Sequence, residues 1–291
     1  MYKVLKVLSD LFKIKITLLV AITTAFGYVI YDGKADLQMI FPVLGIFLLA
    51  CGSAAINQIQ ERDIDPLMSR TKNRPLALGS LTLKWAVIIV VFIVSVATVI
   101  LYQYTGWLVT VLGWAALVWY NLIYTPLKKI NAFAVIPGSI IGSIPPVAGW
   151  VAAGGEITDP KIMLVALFFF IWQIPHFWML LLFLNTDYQK SGLPTIKEKF
   201  TDAQLARITF TWTFATGFTT LLFPVFGITH SVPAIILVVL SSAALVLYAV
   251  QLLKADAERS VFRKNFAFIN IFVLLIVFII SVDNLLTTTQ F

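Results

Sequence analysis

The chain has 291 residues, of which 60% are hydrophobic and 12% charged, and its formal net charge is +7. Soluble globules carry about 25% charged residues, and half that amount cannot cover a water-facing surface of this size. A soluble enzyme, a disordered chain and a nucleic-acid-binding domain are thereby excluded, and the lack of alternating polar and apolar stretches excludes an outer-membrane barrel. The composition is that of an all-α, polytopic membrane protein. The single cysteine, Cys51, allows no internal disulfide or cysteine cluster and lies in an apolar run, where it reads as a small packing residue.

A membrane-crossing helix needs about 20 mostly apolar residues. In chain order the sequence predicts nine such spans, at 16–30, 37–56, 85–101, 107–124, 132–152, 162–184, 208–226, 232–252 and 266–282. They leave room only for loops, so residues 1–291 read as one transmembrane domain. The basic N-terminal segment leads into the first span without a small-residue cleavage pattern. With the N-terminus in the cytosol, nineteen of the 21 Lys and Arg residues fall on the cytosolic side, leaving only Lys34 and Lys161 outside. That bias is the positive-inside signature and sets the C-terminus outside. Two long loops, 57–84 and 185–207, share the cytosolic face.

The first long loop is rich in chemistry. Asn57, Glu61 and Asp65 recur every four residues, a slanting stripe on one face of a helix that the sequence expects to end at Asp65, because Pro66 disfavours helical geometry before it. Asp63 points elsewhere and pairs with Arg62 or with solvent. Two carboxylates and an amide are hard oxygen donors suited to Mg²⁺ shared with phosphate oxygens, while Arg70, Lys72 and Arg74 follow and can clamp those phosphates. The bland alternative is a charged loop obeying topology, which leaves the regular stripe unexplained. Asp65 is expected at the water edge, so Asp65→Asn should cost little stability.

Further along, Asn121, Tyr124, Thr125, Lys128 and Lys129 gather at the inner end of the fourth span. Lys128 suits phosphate binding, whereas Lys129 reads as a snorkelling side chain. Gly138 and Gly142 form a GxxxG match, read as helix packing. In the sixth span, Pro175 interrupts the backbone hydrogen-bond ladder, and the polar Gln173 and His176 at that kink suggest a cavity. His176 fits a hydrogen bond to substrate, a metal ligand or a site for an anionic group, and a satisfied core histidine equally well. His230 reads as solvated. Asp187 opens the second long loop and reads either as one more acid for the site or as a solvated turn.

Taken together, these motifs resemble the UbiA superfamily of intramembrane prenyltransferases, and within it the haem-directed branch. The resemblance rests on Arg62-Asp-Ile-Asp65 with Met68-Ser-Arg70-Thr-Lys-Asn-Arg74-Pro75, on Tyr124-Thr-Pro-Leu-Lys128-Lys129, on Pro145-Pro-Val-Ala-Gly149-Trp150, on Trp172-Gln-Ile-Pro-His176-Phe-Trp178, and on Asp187-Tyr188 before Gly192-Leu-Pro194. Glu61 departs from the pattern, standing where the superfamily usually has Asp. The resemblance implies nine helices around a central cavity in a bacterial cytoplasmic (inner) membrane, with Mg²⁺ as cofactor. It implies farnesyl diphosphate and haem b as substrates, and contact with haem-using oxidase assembly or with the enzyme that next modifies the haem. Asn57, Glu61, Asp65 and Lys128 would be catalytic. Asn57, Glu61, Asp65 and Asp187 would be metal ligands, and Arg70, Arg74, Tyr124, His176 and Asp187 would bind substrate. Two other functions compete: prenyl transfer to an aromatic quinone precursor, and secondary transport. The latter predicts acids at the bilayer midplane rather than at its cytosolic edge.

Overall fold

In a bilayer every backbone N–H and C=O must be paired within the chain, and an apolar sequence meets that demand as helices. The computed structural model describes residues 2–254 and 259–288, of which the side chains of 2, 3, 183–190, 259 and 288 are not described. These residues form helices, short 3₁₀ turns and no strand. The helices are α1 (Tyr2–Phe12), α2 (Ile14–Asp32), α3 (Ile40–Glu61), α4 (Leu83–Thr105), α5 (Trp107–Val118), α6 (Thr125–Leu127), α7 (Val135–Gly138), α8 (Ile140–Ala152), α9 (Pro160–Lys190), α10 (Asp202–Leu221), α11 (Val232–Ala249) and α12 (Arg259–Thr288). A π-helical turn, Trp119–Tyr124, joins α5 to α6.

Among the described residues, eight helical segments are long and apolar enough to cross a membrane. They answer eight of the nine spans expected. The segment expected at 208–226 lies in α10, a 20-residue helix with six threonines that falls short on composition. Its hydroxyls bond back along the helix, Thr213 to the Thr209 carbonyl (2.8 Å), Thr216 to Trp212 (2.8 Å) and Thr219 to Ala215 (2.7 Å). A hydroxyl spent on its own helix presents little polarity outward. This helix packs against α9 and α11.

The long helix α9 is central and packs against α8, α10 and α12. Its Phe168 and Phe169 are fully enclosed, with Phe26 and Phe223 set edge-on to them. Pro175 lies within continuous α9; having no N–H, it leaves out one rung of the backbone ladder without ending the helix. By contrast, α4 and α11 turn apolar residues such as Phe92 and Leu247 outward, the lipid-compatible face of a membrane bundle. At the far end, Asp283 of α12 accepts from the backbone N–H groups of His230 (2.6 Å) and Ser231 (3.1 Å), which pins the turn into α11. His230 itself is exposed, as expected.

Helix α2 crosses α8 at near backbone contact. A methyl added at Gly27 would collide with the Pro146 carbonyl, and one at Gly149 with the Thr24 carbonyl. Backbone atoms cannot swing aside as a side chain can. Gly27→Val and Gly149→Val should therefore each destabilise the fold by about 1–3 kcal/mol through overpacking. At Gly217 the nearest atom to an added methyl is a Val246 side-chain carbon at 3.2 Å, so Gly217→Ala should shift far less. Thermal unfolding in detergent compares the three variants.

Candidate active site

The site is built where α3 ends. Helix α3 stops at Glu61, two turns after Ser53, and a bend carries the chain into a 3₁₀ turn, Asp65–Leu67, with Pro66 at its start. Asp65 is thus not on the same helix as Asn57 and Glu61, which corrects the single-helix stripe. It reaches the same place by the turn, whose shape is held by the Thr71 hydroxyl donating to the Asp65 carbonyl at 2.9 Å. Nor is Asp65 at the water edge: its side chain is 0% exposed and that of Glu61 5%. Asp63 is exposed and pairs with Arg62 at 3.6 Å.

Every one of the three stripe residues meets a cation. Arg74 Nη1 lies 2.6 Å from Asp65 Oδ1 and 3.5 Å from Glu61 Oε2, so one guanidinium bridges both acids. Lys128 pairs with the other Glu61 oxygen. Lys13 donates to Asn57 Oδ1 at 2.7 Å. Arg70 is exposed and adds positive potential at both lysines. Burial and these neighbouring cations push the Lys13 and Lys128 ammonium groups below the ordinary lysine range, while Glu61 opposes the shift. For Asp65, burial raises the carboxyl against the opposing pull of Arg74. Three cations on two buried carboxylates leave surplus positive charge that a polyanion can neutralise.

The partners arrive from three elements. Lys13 separates α1 from α2 in the left-handed region (φ 50°) and is the sole non-glycine residue with positive φ among those described. Such a conformation costs an L-residue about 1–2 kcal/mol. The π-turn sets the register of the fourth span: Asn121 Nδ2 donates to Ser53 Oγ (2.6 Å), and its carbonyl, left over by the wider turn, accepts from Gln60 Nε2 (2.9 Å). Thr125 accepts from Asn57 Nδ2 at 3.3 Å. Lys129 donates to the Gln60 carbonyl near the C-terminus of α3, so it anchors the helix end and does not snorkel outward. Lys13 went unremarked in the sequence beyond its charge; its place immediately before the first apolar span is the signal that could have singled it out.

A second polar group lies deeper. His176 on α9 faces Asn270 on α12, with Nδ1 to Oδ1 at 2.7 Å, and its ring is flanked by Phe266 (4.8 Å), Trp172 (5.0 Å) and Phe177 (5.4 Å). The sequence reading passed over Asn270, a polar amide in an otherwise apolar span. Tyr124 connects the two regions: Lys128 lies over its ring, 5.7 Å from the centroid, and the Phe177 ring is 6.1 Å from it. The GxxxG glycines serve this wall, since a methyl at Gly138 would strike the Tyr124 ring and one at Gly142 the Gln173 amide. Cys51 is buried with Sγ 3.7 Å from the Thr17 hydroxyl, a packing residue as expected. The side chain of Asp187 lies outside the described residues.

The donor set can hold a divalent cation. Asp65 Oδ2 is buried without a hydrogen-bond partner, an acceptor awaiting a positive ligand. The described residues contain no group of three His, Cys, Asp or Glu side chains that could hold a metal alone. A hard cation here needs the Asn57 amide and oxygens from its own substrate, as Mg²⁺ on a diphosphate does.

Residues 20–280 match the UbiA prenyltransferase family. The chain belongs to that family. Curated relatives named protoheme IX farnesyltransferase include those of Oleidesulfovibrio alaskensis (38% identical over 65% of this chain and 67% of the relative) and Nitratidesulfovibrio vulgaris (32% over 81% and 82%). The UbiA-type fold is shared with a digeranylgeranylglyceryl phosphate synthase (TM-score 0.79, 16% identity, 98% of this chain and 99% of the other). It is also shared with a UbiA homologue from Archaeoglobus fulgidus bound to DMAPP and Mg²⁺ (TM-score 0.64, 15% identity, 92% and 98%). Apolar helices and membership of this family make the chain an integral membrane prenyltransferase.

The Arg74 bridge carries a stability prediction. Arg74→Ala strands Asp65 as a buried carboxylate, which typically costs about 3–5 kcal/mol. Asp65→Asn keeps the volume and leaves Arg74 beside Glu61, so it should cost less than Arg74→Ala but more than an exposed change such as Asp63→Asn. Melting midpoints of the three purified variants should fall in that order.

Proposed function

We propose that the chain transfers the farnesyl group of farnesyl diphosphate to a vinyl group of haem b with addition of water, giving haem O and diphosphate. The observation that carries this reading is the closure of Arg74, Lys128 and Lys13 on Asn57, Glu61 and Asp65, next to an aromatic wall that ends in His176. The names of the relatives supply the acceptor and the chain length.

The chemistry follows from where charge develops. Breaking the allylic C–O bond leaves a farnesyl cation and puts the electron pair on the diphosphate. Arg74, Lys128 and Lys13 offer fixed positive charge to that leaving group, with Arg70 at the mouth, and fixed charge in a water-poor site needs no reorganisation during the reaction. Mg²⁺ held by Asn57, Glu61 and Asp65 would neutralise diphosphate oxygens. Asp187 is retained as a candidate further ligand from the second loop. The Tyr124 and Phe177 rings wall the region beside these cations and limit the access of water to the developing cation. The vinyl π electrons then form the new C–C bond, and water adds to the haem-side cation with loss of a proton.

The test is incubation of the purified chain with haem b, farnesyl diphosphate and Mg²⁺, reading pigment mass, with 4-hydroxybenzoate as a competing acceptor. Farnesylation of the phenol and not of the haem would overturn the reading. Asp65→Asn should lower the rate about 10²–10³-fold, the usual loss for one such electrostatic contact, whereas Glu61→Asp keeps the charge and should be far milder.

The orientation proposed is N-terminus and both long loops in the cytosol and C-terminus outside, in the bacterial cytoplasmic membrane, on the Lys/Arg asymmetry. In a Cys51→Ser background, a cysteine in place of exposed Lys72 should label from the cytosolic side, and one in place of exposed Leu286 from the other. Labelling of both from one side would contradict it.

A further inference from the structure

We propose that His176 ligates the iron of the haem substrate through Nε2 and that Asn270 is the residue that positions it. This rests on the haem acceptor proposed above and extends it to the atom that recognises the acceptor.

The two ends of the Asn270 amide are told apart by chemistry. Asn270 has one amide atom 2.5 Å from the Phe266 carbonyl oxygen. A carbonyl oxygen only accepts, so that atom is the NH₂ group. The other amide atom is then the oxygen, and it lies 2.7 Å from His176 Nδ1. An amide oxygen also only accepts, so Nδ1 carries the hydrogen. The aromatic rings of Trp172, Phe177 and Phe266 flank the imidazole, and no carboxylate pairs with it among the described residues. An imidazolium there would be a buried charge without a counter-ion. The neutral ring with hydrogen on Nδ1 has its lone pair on Nε2, which has no hydrogen-bond partner among the described residues.

A lone pair discriminates between the two haem groups His176 could touch. A propionate needs a hydrogen donor and finds none at Nε2. Ferrous or ferric iron needs a lone pair and finds one, aimed by a hydrogen bond at the opposite nitrogen, which is how proteins fix the tautomer of metal-binding histidines. Ligation is a dative bond from nitrogen to iron, with no change of oxidation state and no proton released.

The position suits the reaction. From Lys128, which holds Glu61, contacts run through the Tyr124 and Phe177 rings to the imidazole. A macrocycle tethered by its iron at His176 would lie beside that wall, near the place where the leaving group is held. An aromatic quinone precursor has no iron to bind, so this histidine would also select the acceptor.

The experiment is titration of the purified full-length chain with haem b in detergent micelles, followed by absorption and resonance Raman spectroscopy, without farnesyl diphosphate. Wild type should show a histidine-ligated haem with an Fe–His stretch in the ferrous form. His176→Gly should lose that signature and recover it on addition of imidazole. Asn270→Leu should shift the Fe–His frequency and weaken haem binding about 10–100-fold, the usual loss when the partner of a ligating histidine is removed. Since Asn270→Leu keeps His176, it tests the proposal even if His176→Gly does not fold. Wild-type haem binding with the same spectrum in His176→Gly, or an unchanged Fe–His signal in Asn270→Leu, would overturn this assignment while leaving haem as the acceptor. If wild type binds no haem and prenylates only the phenol, the acceptor itself is wrong, which the competition assay reads separately.

Discussion

One guanidinium holds the active end of this molecule together. Arg74 bridges Glu61 on α3 and Asp65 on the 3₁₀ turn, and both acids are almost wholly shielded from solvent. Buried carboxylates are tolerated only when paired. The loop after α3 must therefore fold back far enough to bring Arg74 over them, and the fourth span must deliver Lys128 to the remaining oxygen of Glu61. The loop geometry, the π-turn and the left-handed Lys13 are the structural means by which those positive groups reach two negative ones.

That arrangement also explains why the site suits an anionic leaving group. With only two carboxylates among three close cations, the site carries excess positive charge in an environment that burial makes poorly screened. A diphosphate relieves the repulsion between Lys13, Lys128 and Arg74. The same repulsion contributes to holding both lysines below their ordinary range, as burial does first. The local strain at Lys13 falls at this cluster, in keeping with the tendency of strained backbone to gather at functional sites.

The aromatic wall divides the labour. The buried acids of the site, Glu61 and Asp65, sit at the end of α3 near the loops and not in the middle of the apolar spans, and this arrangement disfavours a transport path. Beyond Tyr124 and Phe177 the surroundings turn largely apolar, and the polar pair of His176 with Asn270 is internally matched. Small residues at Gly138 and Gly142 let that wall approach without backbone displacement. The close crossing at Gly27 and Gly149 holds α2 against α8, while Lys13, just before α2, reaches Asn57 of α3.

Span length, the paucity of charge and the asymmetry of Lys and Arg were legible in the sequence because the bilayer imposes them on composition, residue by residue. The all-helical class and eight of the expected spans followed from that alone. The ninth, expected at 208–226, falls largely in the threonine-rich α10, which is too polar in composition to count as a crossing segment although its hydroxyls turn their polarity into bonds to its own backbone. At the site, the types and spacing of Asn57, Glu61 and Asp65 were visible as a stripe, since spacing along a chain is local information. That Asp65 leaves the helix, is buried and shares Arg74 with Glu61 was not, because burial and ion pairing depend on what the rest of the chain packs over a residue. Lys13 meets Asn57 across 44 positions and His176 meets Asn270 across 94. No periodicity encodes such contacts; only the packing of α2 on α3 and of α9 on α12 brings those groups within a hydrogen bond.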